Sequence, residues 1–107
     1  MIVWASLESV RGREQGGHRP ALIIASAGYL DAVTTLVIAL PITTMHRGWP
    51  NHIPVEGPSG LDRPSWIMTE QPRTLSRDRL TRIAGRVSAD CLSTTRVWLG
   101  DFLDLRS

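Results

Sequence analysis

The chain has 107 residues, which suits one domain whose core needs no metal or disulfide staples. Cys91 is the only cysteine, which excludes an internal disulfide and favours a reducing, cytoplasmic setting. The longest apolar run, Leu36 to Ile42, is much shorter than the roughly 20 residues of a membrane helix, so no membrane association is expected. The formal net charge is +2, and all 12 of the residues counted as lysine or arginine are arginine. Because arginine binds phosphate and stacks on bases, this composition favours a nucleic-acid partner. Codon bias is the alternative explanation for the absence of lysine.

Strands dominate the predicted elements. Runs of β-branched and aliphatic residues predict six strands, over residues 2–7, 20–26, 33–42, 51–56, 65–71 and 82–87. The second and third are apolar on both faces, as expected of central strands, and a turn at Gly28 to Asp31 joins them. Pro41 is expected to end or edge the third strand, which leaves Thr43 at its mouth.

The helical signal comes last. Ser88 can cap a helix that carries Asp90 in its first turn. The apolar face of this helix comprises Leu92, Thr95, Leu99 and Phe102, flanked by Cys91, Trp98 and Leu105. A shorter helical turn is predicted at Ser76 to Leu80. Residues 1–107 are therefore expected to form a single, mainly β domain, a compact antiparallel sheet sealed by a C-terminal helix.

Chemically reactive side chains are concentrated before the second strand. The segment reads Gly12-Arg13-Glu14-Gln15-Gly16-Gly17-His18-Arg19-Pro20 and runs directly into apolar residues 21–25. Its glycines free the backbone for positive φ, while Pro20 suits a strand position that needs no N–H. An acid, an imidazole and two guanidiniums are thus expected on a loop tip held by a rigid strand. A solvated connection without function is the alternative.

These groups match the needs of RNA cleavage without a metal. When the 2′-hydroxyl of RNA attacks the adjacent phosphate, the reaction requires a base, an acid for the leaving 5′-oxygen and cations on the phosphorane. Glu14 is the best candidate for the base, unless it only pairs with Arg13 and Arg19. His18 can share acid–base work or be merely exposed. The three histidines are scattered along the chain, so neither a metal nor a cofactor is expected.

A second candidate segment is the loop from Met45 to Asn51, which contains His46, Arg47 and Trp49. An aromatic ring and a guanidinium on a loop bounded by glycine and proline can stack an unpaired base and hold its phosphate. The loop is therefore predicted to bind single-stranded RNA. Core packing or a dimer contact is the alternative role for Trp49.

Together these segments resemble one protein family. A G-x-E-Q-x-G-x-R-P motif at residues 12–20, Pro-Ile-Thr-Thr at 41–44, Arg-Gly-Trp-Pro at 47–50 and Glu-Gln-Pro-Arg-Thr-Leu at 70–75 fall in the order found in the MazF/PemK (Kid) toxins of bacterial toxin–antitoxin pairs. The resemblance extends from Trp4 to Leu105. It implies a small SH3-like antiparallel barrel of five to six strands with a C-terminal helix, the PemK/CcdB-like fold.

The resemblance also implies a function. Members of the family are sequence-specific endoribonucleases that cut single-stranded mRNA, or in some cases tRNA or rRNA. The products carry 2′,3′-cyclic phosphate and 5′-hydroxyl ends, and translation and growth are inhibited until an antitoxin binds. The family's catalytic pair falls on Arg19 and Thr43, and members that share the E-Q-x-G-H-R-P spelling also depend on the glutamate that Glu14 matches. A homodimer whose groove is plugged by the antitoxin is implied as well.

Further residues follow from the same match. His18, Arg13, Gln15 and Glu70 are candidates for catalysis or phosphate binding. RNA binding is expected of Arg47, Trp49, His46, Gln71 and Arg73. In the Kid-like branch an Arg-x-Asp pair used in cleavage precedes Gln-Pro-Arg-Thr, whereas this chain has Met68 and Glu70 there, so the mechanism of that branch does not transfer to it.

Two other functions share the fold. A member that has lost catalysis would act by binding RNA. The gyrase poison CcdB lacks the nuclease residues and has a tryptophan close to its C-terminus, whereas this chain ends Asp104-Leu105-Arg106-Ser107. Gyrase poisoning is therefore the less favoured alternative.

Overall fold

The computed structural model describes residues 1–6 and 18–104. In chain order these form β1 (Ile2–Ser6), β2 (His18–Ile23), α1 (Ala27–Ala32), β3 (Leu36–Thr43), β4 (His52–Pro54), β5 (Trp66–Met68), β6 (Arg73–Ser76), a 3₁₀ helix (Arg77–Arg79), β7 (Leu80–Gly85) and α2 (Ala89–Phe102). The predicted class is confirmed, since the fold is a mainly antiparallel sheet with a C-terminal helix. No helix in the part of the chain that the structure describes is long and apolar enough to cross a membrane.

The sheet curves like a barrel without closing strictly. Its strands follow the order β4-β5-β3-β2-β1-β7, with β6 paired to β3 off this path. All of these pairs are antiparallel. β3 is the central strand, because β2 lies along one side of it while its other side pairs first with β6, over residues 36–39, and then with β5, over residues 42–43.

Pro41 lies inside β3 and does not end it, which corrects the expectation from the sequence. The N–H of Ile24 donates to the carbonyl of Ile38, so the even-numbered residues of β2 and β3 exchange the hydrogen bonds between these two strands. Pro41 is odd-numbered and pairs with Ala21 at a position where no N–H is needed. Its other side faces the point where β3 changes partner from β6 to β5.

Pro20 marks the end of the ladder between β2 and β3. The last pair is Ala21 with Pro41, and the next hydrogen-bonding position of β2 is Pro20, which has no N–H to donate to β3. Toward β1, Pro20 pairs with Trp4 at a position that makes no ladder hydrogen bond, because the odd-numbered residues of β2 bond to that strand. The two central strands are therefore free to diverge beyond Ala21.

The core has two parts, one on each face of the central strands. The larger comprises Ile2, Leu22, Leu40, Ile42, Ile53, Ile67 and Cys91, and the smaller comprises Ala5, Ala21, Val37, Ala39 and Leu75. Along β2 and β3 the even-numbered residues face the first and the odd-numbered residues the second, as the period of a strand requires. The expectation that both strands are apolar on both faces is thereby confirmed.

Helix α2 covers the larger cluster. Ser88 caps it by accepting a hydrogen bond from the N–H of Cys91, as predicted. Cys91 and Thr95 are buried, and the Thr95 hydroxyl donates to the carbonyl of Cys91, so no polar group is left unpaired there. Burial raises the pKa of the Cys91 thiol. The prediction for Phe102 is wrong, because this side chain is 49% exposed at the end of the helix.

Several boundaries differ from the predictions. The turn expected at Gly28 to Asp31 is the short helix α1, which forms because the Ser26 hydroxyl accepts from the N–H of Tyr29. Strand β6 was missed, and it gives seven strands where six were predicted. Its residues are mostly polar and exposed, and only the pairing with β3 makes them a strand. β4 and β5 are shorter than expected, β7 begins two residues early, and Leu7 and Leu105 lie outside the described residues.

Candidate active site

A cavity of about 420 Å³ opens where β2 and β3 diverge. It is lined by Trp4 from β1, by His18, Arg19 and Pro20 from β2, by Ile42, Thr43 and Thr44 at the end of β3, and by Leu61, Asp62, Arg63 and Ser65 from the loop between β4 and β5. The lining residues therefore lie in strands or in the segments that adjoin them. The cavity owes its place to Pro20, since a continued ladder would hold the two strands side by side.

Arg19 and Thr43, the catalytic pair that the family resemblance implies, both line this cavity. Extending the register two residues beyond the Ala21–Pro41 pair sets Arg19 opposite Thr43. Both positions are odd-numbered, so the two side chains belong to the same face of the sheet. Arg19 is exposed and Thr43 is partly buried. A guanidinium and a hydroxyl thus face one space large enough for a phosphodiester.

The hydroxyl of Thr43 has a defined role in the backbone. Its Oγ1 accepts a hydrogen bond of 3.0 Å from the N–H of Met45, two residues further along the chain. This bond and the stiff χ1 of a β-branched residue fix the position of Oγ1. Because the oxygen acts as the acceptor, its proton is available to donate to a bound group.

Asp62 and Arg63 line the same cavity and were missed from the sequence. They belong to a loop that approaches β7 closely at Gly60, where the backbone has φ +76° and a Cβ atom would lie 1.9 Å from the carbonyl oxygen of Ala84. Only glycine permits this approach. The packing of this loop against β7, which brings it to the cavity, depends on long-range contacts that no local pattern reveals.

The loop of residues 45–51 forms a layer of rings beside β5. His46 stacks on Trp66 with parallel planes and centroids 4.5 Å apart. The guanidinium of Arg47 lies 5.6 Å from the ring centroid of Trp49 and its Nη1 lies 4.0 Å from the sulfur of Met68. Trp49 is 48% exposed, so much of its ring surface is open to solvent. The sequence therefore identified a loop with accessible rings and cations, as RNA binding requires.

Glu70 lies beneath this loop and outside the set of described residues that line the cavity. Its Oε1 accepts from Asn51 Nδ2 at 2.8 Å, and both of its oxygens lie 3.1 Å from His52 Nε2. Partial burial alone would raise the pKa of Glu70, but the hydrogen bond from His52, a backbone hydrogen bond, the charge of His52 and Gln71 together hold this pKa below its ordinary value. His52, one of the three scattered histidines, is the buried centre of this group.

The remaining predicted residues fall into three places. His18 is exposed at the rim of the cavity. Gln71 and Arg73 are exposed, the first in the turn after β5 and the second at the start of β6. Arg13, Glu14 and Gln15 lie outside the described residues. Among the residues that the structure describes, no group of three or more His, Cys, Asp or Glu is arranged to hold a metal ion.

The model of the PemK-like, MazF-like toxins of type II toxin–antitoxin systems matches residues 1–103. The chain belongs to this family. The toxin is 35% identical over 82 residues to endoribonuclease EndoA of Bacillus subtilis (strain 168), with 75% of this chain and 71% of that protein covered. It is 38% identical over 81 residues to endoribonuclease MazF of Staphylococcus saprophyticus, with 74% and 68% covered.

Solved structures share the fold of the toxin. A crystal structure of MazE-MazF (Form-II) from Deinococcus radiodurans superimposes with a TM-score of 0.80 at 32% identity, covering 98% of this chain and 93% of that one. The toxin MazF-mt6 of Mycobacterium tuberculosis gives a TM-score of 0.78 at 26% identity, with 99% and 98% covered. The expected PemK-like fold is thereby confirmed over nearly the whole chain.

The lowered pKa of Glu70 predicts a pH dependence of stability. A carboxyl whose pKa is lower in the folded state stabilises the fold above its unfolded pKa, near 4.5, and loses this contribution as the pH falls through the folded value. Glu70→Gln should therefore lower the free energy of unfolding near neutral pH, and the gap to the wild type should close as the pH falls below about 4.5. Urea unfolding at stepped pH measures it. Glu56→Gln, at an exposed carboxylate away from His52, controls for the loss of one negative charge. A difference in the free energy of unfolding between wild type and Glu70→Gln that stays constant down to pH 3 would contradict the lowered pKa of Glu70.

Proposed function

We propose that this toxin cuts single-stranded RNA in the cavity between β2 and β3, by attack of the RNA's own 2′-hydroxyl. The toxin is an endoribonuclease, as its relatives EndoA and MazF are named. The observation that carries the location is the position of Arg19 and Thr43, which face one cavity from the ends of two neighbouring strands. In this reaction a base takes the 2′-proton, the 2′-oxygen bonds to phosphorus, and the bond from phosphorus to the 5′-oxygen breaks as that oxygen receives a proton. The products carry a 2′,3′-cyclic phosphate and a 5′-hydroxyl.

Arg19 and Thr43 stabilise the transition state in this proposal. A guanidinium remains protonated at any physiological pH, so Arg19 is a poor proton donor and acts by binding the charge that develops on the phosphorane. Thr43 donates its hydroxyl proton to a phosphoryl oxygen while its Oγ1 is held by the Met45 N–H. Both groups are placed by strands, which keeps their positions fixed during the reaction.

The proton transfers are assigned to residues beside this pair. His18 lies exposed at the rim of the cavity, and its imidazole is the group proposed to protonate the leaving 5′-oxygen. Glu14 is proposed as the base on the strength of the family motif, with Arg13 and Gln15 next to it in the chain to contact phosphate. A positioned acid or base typically contributes 10²–10⁴-fold to the rate.

RNA recognition is assigned to the loop of residues 45–51 and its surroundings. Trp49 offers an exposed face to an unpaired base, and Arg47 and His46 lie beside it to contact the neighbouring phosphate or a second base. Gln71 and Arg73 extend the same surface on the exposed turn after β5 and the start of β6. Chemistry and recognition therefore use different parts of the chain, strand ends for the first and a loop for the second.

The toxin is expected to cut a long, unstructured RNA without any added metal ion. The reaction consumes no water and needs only groups of the protein, so cleavage in an excess of chelator should equal cleavage in magnesium. Mapping the cut ends should give 2′,3′-cyclic phosphate and 5′-hydroxyl groups. Loss of cleavage in chelator that magnesium restores, or ends with a 5′-phosphate, would contradict the mechanism. Tight RNA binding without cleavage would instead support the alternative that this toxin has lost catalysis and acts by binding RNA.

Arg19→Ala and Thr43→Ala should each lower single-turnover cleavage by about 10²-fold or more, because each removes an interaction with the developing charge. Thr43→Ser should restore most of the rate, since it keeps the hydroxyl. Arg96→Ala, at an exposed arginine on α2, is the matched control and should cleave normally. Unfolding curves are expected to differ little, since Arg19 lies on the surface. Near wild-type cleavage by Arg19→Ala would show that the site is elsewhere.

Assembly and inhibition complete the proposal. The toxin has an antitoxin partner, as its family and the MazE-MazF structure indicate. We propose further that the active form is a homodimer, which is supported by the exposed apolar side chains of Ile83 on the edge strand β7 and of Val97 and Phe102 on α2. In this arrangement an acidic segment of the antitoxin competes with RNA for the exposed Arg19 and Arg47.

Sedimentation and antitoxin binding test these two points. The toxin should sediment as a dimer at micromolar concentration, and a monomer alone would defeat the dimer. The double variant Arg19→Glu, Arg47→Glu should bind the antitoxin at least about tenfold more weakly, because it replaces two attractive charges by repulsive ones. Unchanged affinity would show that the antitoxin does not cover these arginines.

A further inference from the structure

Glu70 uses its carboxylate oxygens on the protein itself. Oε1 accepts from Asn51 at 2.8 Å, His52 Nε2 lies 3.1 Å from each oxygen, and Gln71 Nε2 lies 3.4 Å from Oε2. Asn51 is held a second time, because its carbonyl accepts from the Thr69 hydroxyl at 2.7 Å. A general base needs a free lone pair directed at the proton that it removes, and these three donors occupy the carboxylate.

The contacts of Glu70 continue into the RNA-binding loop. The side chain of His52 is only 1% exposed, and its ring centroid lies 4.7 Å from that of Trp49. Trp49 in turn carries the guanidinium of Arg47 at 5.6 Å from its ring centroid. A continuous series of contacts thus joins Glu70 to Arg47 through His52 and Trp49.

The ring of His52 depends on Glu70 for its orientation. Its other nitrogen, Nδ1, is buried and has no hydrogen-bond partner among the residues that the structure describes. Nε2 is therefore the one atom of this ring that is held by hydrogen bonds in that part of the chain, and both bonds go to Glu70. Without the carboxylate, only van der Waals contact would keep the ring in the orientation that supports Trp49.

We propose that Glu70 is a positioning residue of the RNA-binding loop, which acts through His52 and Asn51 to hold Trp49 and Arg47 in place for RNA. It sets the affinity for RNA and the choice of bases, and it does not touch the reacting atoms. The inference rests on the proposed function, because it takes this loop as the place where RNA binds. It also assigns a role to His52, for which the cleavage chemistry has no use.

Kinetics with Glu70→Gln separate positioning from catalysis. Glu70→Gln keeps one acceptor oxygen and puts an NH₂ group in place of the other, where it faces the donors His52 Nε2 and Gln71 Nε2. The KM for RNA, and the Kd for an RNA made resistant to cleavage by 2′-deoxy nucleotides, should both rise by about tenfold. The single-turnover rate at saturating RNA should stay within about threefold of the wild type. Glu56→Gln is the matched control and should change neither quantity.

A double variant tests the route through Trp49. Trp49→Ala alone should weaken RNA binding at least as much as Glu70→Gln. Combined with Glu70→Gln it should add little, because both substitutions remove the same support. Additive losses would show that Glu70 acts independently of Trp49 and would overturn the inference. A rate reduced by about 10²-fold with unchanged KM would also overturn it, because that result identifies a catalytic residue.

Two further measurements separate other outcomes. Asn51→Ala removes one donor to Glu70 without leaving a buried group unpaired, and it should raise the KM in the same direction if Glu70→Gln does not fold. An unchanged KM in a folded Asn51→Ala, with Glu70→Gln unfolded, would count against the inference. If the wild type binds the resistant RNA but does not cleave, the binding comparisons still decide the role of Glu70 while the proposed reaction fails. If it neither binds nor cleaves, both fail.

Discussion

The hydrogen-bond ladder between β2 and β3 stops at the Ala21–Pro41 pair, and the geometry of the candidate active site follows from that stop. Pro20 occupies the next bonding position and has no N–H, so the strands separate there and a cavity of about 420 Å³ opens between them. The residues just beyond the stop are Arg19 on one strand and Thr43 on the other. Their register and face are still those of the sheet, although the ladder no longer joins them. A rigid scaffold thus presents two reactive side chains to one space.

A second constraint operates at the loop of residues 45–51, where polar groups are buried beneath exposed rings. The buried histidine is held to the partly buried carboxylate through its Nε2, and Asn51 and Gln71 donate further hydrogen bonds to that carboxylate. The hydrogen bonds between these buried groups support the loop, while Trp49 remains half exposed to solvent. Loops vary more readily than strands in evolution and in conformation. Under the proposed function, a toxin built this way could change the RNA sequence that it reads without moving the groups assigned to cleavage.

The sequence predicted those parts of the molecule that depend on local patterns. Apolar runs identified the central strands, Ser88 identified the start of α2, and two of the predicted site residues, Arg19 and Thr43, are among those that line the cavity. It did not predict β6, because residues 73–76 are polar except for Leu75 and become a strand only by pairing with β3. The contribution of Asp62 and Arg63, and the contact between His52 and Glu70, arise between residues distant in sequence. The prediction that Pro41 ends or edges β3 was wrong because only the even-numbered positions of β3 hydrogen-bond to β2, and this alternation is set by the pairing of the strands.

The central claim is that the scissile phosphate binds between Arg19 and Thr43. A crystal structure of the toxin with an RNA that carries a single 2′-deoxy nucleotide at the mapped cleavage position tests it most directly, because the missing hydroxyl prevents the reaction. The account predicts a phosphoryl oxygen within about 3 Å of both the Arg19 guanidinium and Thr43 Oγ1, with the neighbouring base stacked on Trp49. A scissile phosphate bound outside this cavity, with Arg19 and Thr43 both free of RNA, would contradict it.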